Sequence, residues 1–313
     1  DTISLLGNQT WGETLERAGA MLWIPGGDGA IGYLLNDGDI RLSANIAATV
    51  SAQALPTGTD WIPQSLDVEG SWMAGGASEE DQVVIMHEVD DAWSAVQVLD
   101  GPETGSLYGV TIRLLNGVLA VGAPMAASGD GRVYLYTLDS SDQWVWQQTI
   151  VPDAANAGNR FGFGLDMCLD NLGQLVLVTV SPAIDFNSKG KIPMQFAPGR
   201  FDVYRISADA STKTALHDWT EPGIASGGVF GTSINSEGSD LIVAVGRVLR
   251  GLVDVNDPPL TWGGITIFRG GDEPDTKWTI EADIDAPESR GAFGATTDIA
   301  AGLVTTTSPY HSE

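Results

Sequence analysis

The sequence predicts an all-β protein built from a repeated four-stranded antiparallel unit, on three observations. A hairpin stands out at residues 108–124 (YGVTIRLLNGVLAVGAP), where Asn116-Gly117 reverses the chain between two β-type runs. The same aromatic-Gly opening and apolar second run recur at Phe161-Gly162, Phe230-Gly231 and Phe293-Gly294. Each copy then breaks into short alternating runs separated by Gly, Ser, Asp and Pro, as half-buried antiparallel strands require.

Within one copy the strands are named a to d. In the hairpin copy, strand b (residues 118–121, VLAV) has no polar side chain, so both of its faces are expected to be buried. Its Gly122-Ala123-Pro124 ending suits a crowded place, where glycine permits close approach and proline cannot join a ladder. Strand c is RVYLYTL, with Val133, Leu135 and Thr137 facing away from Tyr134, Tyr136 and Leu138. Strand d is WVWQQTIV, with Trp144, Trp146 and Gln148 expected on one face.

Other copies follow the same order. The Phe161 copy has b as LVLVTVSP, c as GRFDVYRIS and d as TALHDW. The Phe230 copy has b as LIVAVG, c as GGITIFRG and d as KWTIEADI. Upstream, SWMAGGA, DQVVIMHEV and WSAVQVL read as b, c and d after Ser65-Leu66. Further upstream, AMLWIPG, AIGYLL and DIRLSANI read as b, c and d after Trp11-Gly12, and residues 47–60 read as a d-to-a crossover. Thr2–Leu6 reads as an outer strand d lacking its own unit, and the C-terminal copy supplies only a and b. Strands 118–121, 175–178 and 241–245 should therefore be central and buried. Trp93, Trp144, Trp219 and Trp278, at or near the start of strand d, should pack between units.

These aromatic-Gly copies resemble the FG-GAP repeats that build the β-propeller heads of integrin α-subunits and many other secreted proteins. The resemblance spans essentially all 313 residues and is most specific at Tyr108–Pro124. It implies a β-propeller of four-stranded antiparallel blades, read here with strand b innermost. Six b strands are visible, giving six or seven blades in a single domain over 1–313. The abrupt ending at Ser312-Glu313 is read as part of a longer chain. The class of function implied is a non-catalytic, extracellular or cell-surface module for protein binding, adhesion or assembly. Two alternatives stay open: a structural subunit of an extracellular filament or coat, and a propeller enzyme acting on polysaccharide. An enzyme would gather several carboxylates and a histidine at one channel mouth.

Charge narrows the partners. With 15 Lys+Arg against 41 Asp+Glu, the net charge of −26 repels nucleic acid and anionic membranes. No apolar run approaches the ~18–20 residues needed for a membrane-spanning helix, so no direct membrane insertion is expected. The single cysteine, Cys168, lies in an apolar run and reads as a small buried hydrophobe. The three histidines, His87, His217 and His311, fall in different copies.

No catalytic motif is present in the sequence, and no cofactor is expected. Calcium is the one metal considered, because integrin-type repeats often carry a D-x-D/N-x-D-G loop between a and b. Here Asp170-Asn171 with Gly173 is the nearest remnant and reads as an ordinary turn, while Asp254, Asn256 and Asp257 form a weaker candidate. Asn8-Gln9-Thr10 is a glycosylation sequon at Asn8 in a predicted exposed loop.

Two long b–c loops, 183–198 and 247–262, belong to consecutive units and should project side by side from one face. The first offers Phe186, Lys189, Lys191, Met194 and Phe196. The second offers Arg247, Leu249, Arg250, Leu252 and Val253. Apolar side chains ringed by Lys and Arg are what a protein-contact patch contains, so this face is the expected surface for a protein partner or for self-association. The alternative is that these apolar residues fold inward and cap their own blades.

Overall fold

The computed structural model describes residues 20–22, 31–34, 39–43, 51–54, 65–90, 92–152, 160–182, 199–220, 227–237, 240–250, 261–271, 273–274, 276–285, 297–300 and 303–306. They form five four-stranded antiparallel sheets and one two-stranded sheet, each built from strands consecutive in the chain. Sheet one holds β1 (Ala20–Leu22), β2 (Ile31–Leu34), β3 (Asp39–Ser43) and β4 (Ser51–Ala54). Sheet two holds β5 (Ser65–Glu69), β6 (Trp72–Ala77), β7 (Gln82–Val89) and β8 (Ala92–Asp100). Sheet three holds β9 (Ile112–Leu115), β10 (Val118–Ala123), β11 (Arg132–Leu138) and β12 (Trp144–Ile150). Sheet four holds β13 (Gly164–Leu169), β14 (Leu175–Ser181), β15 (Arg200–Ile206) and β16 (Lys213–Thr220). Sheet five holds β17 (Gly227–Glu237), β18 (Asp240–Arg250), β19 (Thr261–Gly271) and β20 (Thr279–Asp285), and β21 (Thr297–Ala300) pairs with β22 (Leu303–Thr306). The fold is thus all-β and made of blade-like sheets. Among the described residues no helix is long and apolar enough to cross a membrane.

The apolar second strands are explained by what lies on either side of them. Leu119, Val121 and Ala123 of β10 pack into a cluster with Val83, Ile85 and Leu99 of sheet two. Val118 and Ala120, pointing the other way, pack with Leu165, Met167, Leu175 and Leu177 of sheet four. Leu175 and Leu177 of β14 therefore face sheet three, while Val176, Val178 and Val180 face sheet five. Every residue of 118–121, 175–178 and 241–245 is buried, as expected for strands sandwiched between neighbours. Each fully buried aliphatic side chain contributes about 1.5–3 kcal/mol.

The aromatic-Gly pairs form the seams. Tyr108 and Phe161 are each fully buried, Tyr108 between sheets two and three and Phe161 between sheets three and four. The glycine after each lies against the neighbouring sheet. A Cβ on Gly122 would meet the Gly162 carbonyl oxygen at 2.1 Å, and one on Gly162 would meet the Arg132 carbonyl oxygen at 2.5 Å. A hydroxyl at the start of the preceding first strand holds each carbonyl: Ser65 Oγ, opening β5, donates to Gly109 O at 2.7 Å, and Thr111 Oγ1, just before β9, donates to Gly162 O at 3.2 Å. The side chain of Phe230 and residue Phe293 lie outside the described residues.

Several expectations need correction. Strand a, not strand b, forms the converging edge: β5, β9, β13, β17 and β21 lie side by side in succession. Residues 20–22, 31–34 and 39–43 are the first three strands of sheet one, because Ser51–Ala54, read as part of a crossover, pairs with β3 as the fourth. Gln148 does not share a face with Trp144 and Trp146. A β-bulge in the β11–β12 ladder pairs Leu135 with Gln148 but Tyr136 with Trp146, switching the face. The same irregularity recurs between β7 and β8, β15 and β16, and β19 and β20. Trp219 lies at the end of β16, not its start.

Candidate functional site

The converging first strands carry a row of polar side chains at one register position, and it is here that side chains from successive sheets meet. Asp67 sits on β5, Arg113 on β9, Asp166 on β13 and Ser233 on β17. Asp67 Oδ2 accepts the Leu114 N–H of the next sheet at 2.7 Å, and Oδ1 accepts its neighbour Val68 N–H at 3.0 Å. Asp166 repeats the arrangement: Oδ2 accepts the Ile234 N–H at 2.8 Å and Oδ1 accepts the Met167 N–H at 2.9 Å. Ser233 Oγ accepts the Ile299 N–H at 3.0 Å. Between the two aspartates, Arg113 Nε donates to Asp166 Oδ1 at 2.9 Å. First strands of different sheets are too far apart for a backbone ladder, so short oxygen-bearing side chains satisfy these N–H groups instead.

The two carboxylates differ in environment. Burial pushes the Asp67 carboxyl up from its ordinary 3.8 to about 6, outweighing the Arg113 charge and the Leu114 and Val68 N–H groups that favour the ionised form. Asp166 adds to the upward shift by like-charge repulsion. Asp166 itself pairs directly with the guanidinium. The row thus holds one acid near neutrality beside one ion-paired carboxylate.

No histidine joins them among the described residues. His87, on β7, accepts or donates a hydrogen bond with Ser71 Oγ at 3.1 Å and stacks on Trp72 with ring centroids 4.1 Å apart. His217, on β16, stacks on Trp278 at 4.7 Å, and burial lowers its pKa. Trp144 and Trp278 do pack between sheets, against the second–third and fourth–fifth clusters respectively. The Trp144 backbone is held by Gln97 of sheet two, whose amide donates to Trp144 O at 2.9 Å and accepts from Trp144 N at 2.8 Å. The Trp93 and Trp219 side chains lie outside the described residues.

Asp170 is a turn residue. Its Oδ1 accepts the Leu172 and Gln174 N–H groups at 2.9 and 2.8 Å, and its Oδ2 lies 3.5 Å from Arg205 Nε. This is the ordinary turn expected, with its carboxylate already occupied. Among the described residues no group of three or more His, Cys, Asp or Glu side chains is arranged to hold a metal. Cys168 is buried and unpaired, and burial pushes its thiol up to about 12, which keeps it protonated and inert.

The expected partner face falls outside the described residues for Phe186, Lys189, Lys191, Met194, Phe196, Leu252 and Val253, as do Asn8 and the 254–257 carboxylates. Arg247, Leu249 and Arg250 are described in backbone only, and there the loop boundary changes. They continue β18, pairing with β19 as Arg247↔Gly264, Leu249↔Trp262 and Arg250↔Thr261. Residues 251–260, between β18 and β19, lie outside the described residues, and the β18–β19 pairing outruns β20, whose pairing ends at Gly264↔Asp285.

The row on the first strands was not singled out in the sequence, although a signal exists. The fifth residue after the aromatic is Arg113 after Tyr108, Asp166 after Phe161 and Asp298 after Phe293, each charged within an otherwise weakly polar strand. In sheet five the offset shortens, because Val229 and Thr232 flank a register shift that brings Ser233 into the row.

No family model matches the sequence, and no curated protein matches it. Solved structures do resemble it: 372 chains match, so the fold is widely shared and names no activity by itself. One is hydrazine synthase of Kuenenia stuttgartiensis, at a TM-score of 0.52 and 11% identity, covering 82% of this chain. The match spans 64% of that protein's chain. At this identity the likeness is one of fold.

Proposed function

We propose that the chain closes into a β-propeller of six or seven blades, of the FG-GAP kind, and works outside the cell or at its surface as a non-catalytic module that binds a protein partner or another copy of itself. One observation carries the reading. The polar side chains on the converging strands serve as acceptors for backbone N–H groups of the next sheet, so this edge acts as a structural seam. Loops displayed by a β-sheet scaffold are the usual place for partner contacts. The β18–β19 pairing runs past the end of β20, with β17 alongside as far as Leu249, and a long strand pair leading into 251–260 suits a contact surface there.

The test is capture from the native source with wild type and with a variant lacking 183–198 and 251–260, after circular dichroism shows that both fold. A partner retained by wild type and lost by the variant supports the proposal. Equal retention moves the contact elsewhere and overturns it.

A second reading rests on Asp67 and Asp166. A carboxyl raised to about 6 beside a second carboxylate held by an arginine is a pair of the kind glycoside hydrolysis uses. Hydrolysis of neutral polysaccharides, abolished by both Asp67→Asn and Asp166→Asn, would establish that reading against the first.

A further inference from the structure

A cleft of about 510 Å³ opens between the outer strands of sheets two and three, and none of the first-strand row lines it. Its walls include Val98 and Asp100 of β8, Tyr134 and Tyr136 of β11, and Trp146 and Thr149 of β12. Trp146 is 55% exposed and Val98 47%, so an indole and an aliphatic side chain face solvent at the cleft. The indole Nε1 donates to Thr149 Oγ1 at 3.3 Å. Behind it, Tyr108 donates to the Tyr136 hydroxyl at 2.7 Å, anchoring that ring to the core.

The charges at the cleft are predominantly negative. Asp100 lines it, and Glu103 lies close enough to Tyr134 to help burial push that phenol up to about 12, outweighing the opposing Arg132. No Lys or Arg is among the lining residues. The polar groups are largely engaged with one another: Asp100 Oδ1 accepts Gln82 Nε2 at 2.8 Å, and Thr149 accepts the indole. A sugar, which needs several directional partners, would find few here. A metal ion or a primary ammonium would exchange full hydration for aromatic and aliphatic walls. An alkylated ammonium group gives up little hydration, and aromatic faces with a nearby carboxylate attract it.

We propose that this cleft binds a small molecule bearing a quaternary ammonium group, seated against Trp146 and drawn in by Asp100 and Glu103. The proposal does not rest on the partner-binding reading, since every lining residue it uses belongs to sheets two and three or the chain between them.

The test is isothermal titration of the whole chain with tetramethylammonium chloride and choline chloride, against ammonium chloride at matched ionic strength. The expected result is saturable binding of choline about tenfold tighter than ammonium, lost in Trp146→Ala and largely kept in Trp146→Phe. Asp100→Asn should weaken binding and flatten its salt dependence. Trp146 is exposed, so its variants should fold, with circular dichroism as the check. Choline binding no tighter than ammonium, or unchanged in Trp146→Ala, overturns the proposal. Binding of a trimethyllysine peptide with no binding of choline overturns it too, by assigning the cleft to a protein ligand.

Discussion

Replacing Gly162 by alanine tests whether the aromatic-Gly pairs are seams between sheets. Gly162 has φ +84°, and its Cβ would stand 2.5 Å from the Arg132 carbonyl oxygen of sheet three. The left-handed backbone costs an L-residue about 1–2 kcal/mol. The clash adds about 1–3 kcal/mol, since a backbone carbonyl cannot rotate aside as a side chain can. Gly117 provides the control. It too has positive φ, +70°, but nothing lies within 4 Å of its would-be Cβ. Gly117→Ala should therefore cost only the backbone part, about 1–2 kcal/mol, and Gly162→Ala about 2–5 kcal/mol. Urea unfolding of both variants at one pH reads the difference. Equal costs would mean that Gly162 is merely a turn residue and would refute the seam.

Three further outcomes follow from the same packing. Leu177→Ala, fully buried between sheets three and four, should lose about 2–5 kcal/mol in urea unfolding; a loss under 1 kcal/mol would contradict the sandwiched second strand. Phe161→Ala should lower stability by about 3–5 kcal/mol without selectively removing any binding activity, and a selective binding defect at full stability would count against a structural role. Asp67 has a folded pKa above its unfolded one, so its contribution is fully present below about pH 3.8 and is lost as pH rises through about 6. Stability of wild type relative to Asp67→Asn should thus shift in favour of wild type by up to about 3 kcal/mol on going from pH 7.5 to 4; a difference independent of pH would show that the carboxyl is not held in the protonated form.

Much of the architecture was legible where a local rule has no competitor. Asn116 and Gly117 adopt φ of +54° and +70°, the left-handed pair that an Asn-Gly hairpin turn demands. Continuous apolar runs such as Leu175–Val178 could only be strands covered on both faces, and they are. The misses share a cause: they depend on contacts far apart in sequence. Ser51–Ala54 is small and polar, with weak strand preference, and becomes a strand through its pairing with β3. The face of Gln148 turns on a bulge that leaves no trace in alternation. The first strands read as ordinary hairpin arms, and nothing local reveals that their edges converge. Asp67 and Asp166 consequently passed as two carboxylates among 41 acidic residues, though each accepts a backbone N–H from the next sheet.

We propose that these sheets close into a ring around the first strands and do not form an open stack. Small-angle X-ray scattering of the purified chain tests it most directly. A closed disc of 313 residues should give a radius of gyration of about 20 Å and a pair-distance distribution falling to zero near the disc diameter. A clearly larger radius, with the long asymmetric tail of a rod in that distribution, would mean that the sheets stack without closing and would contradict the account.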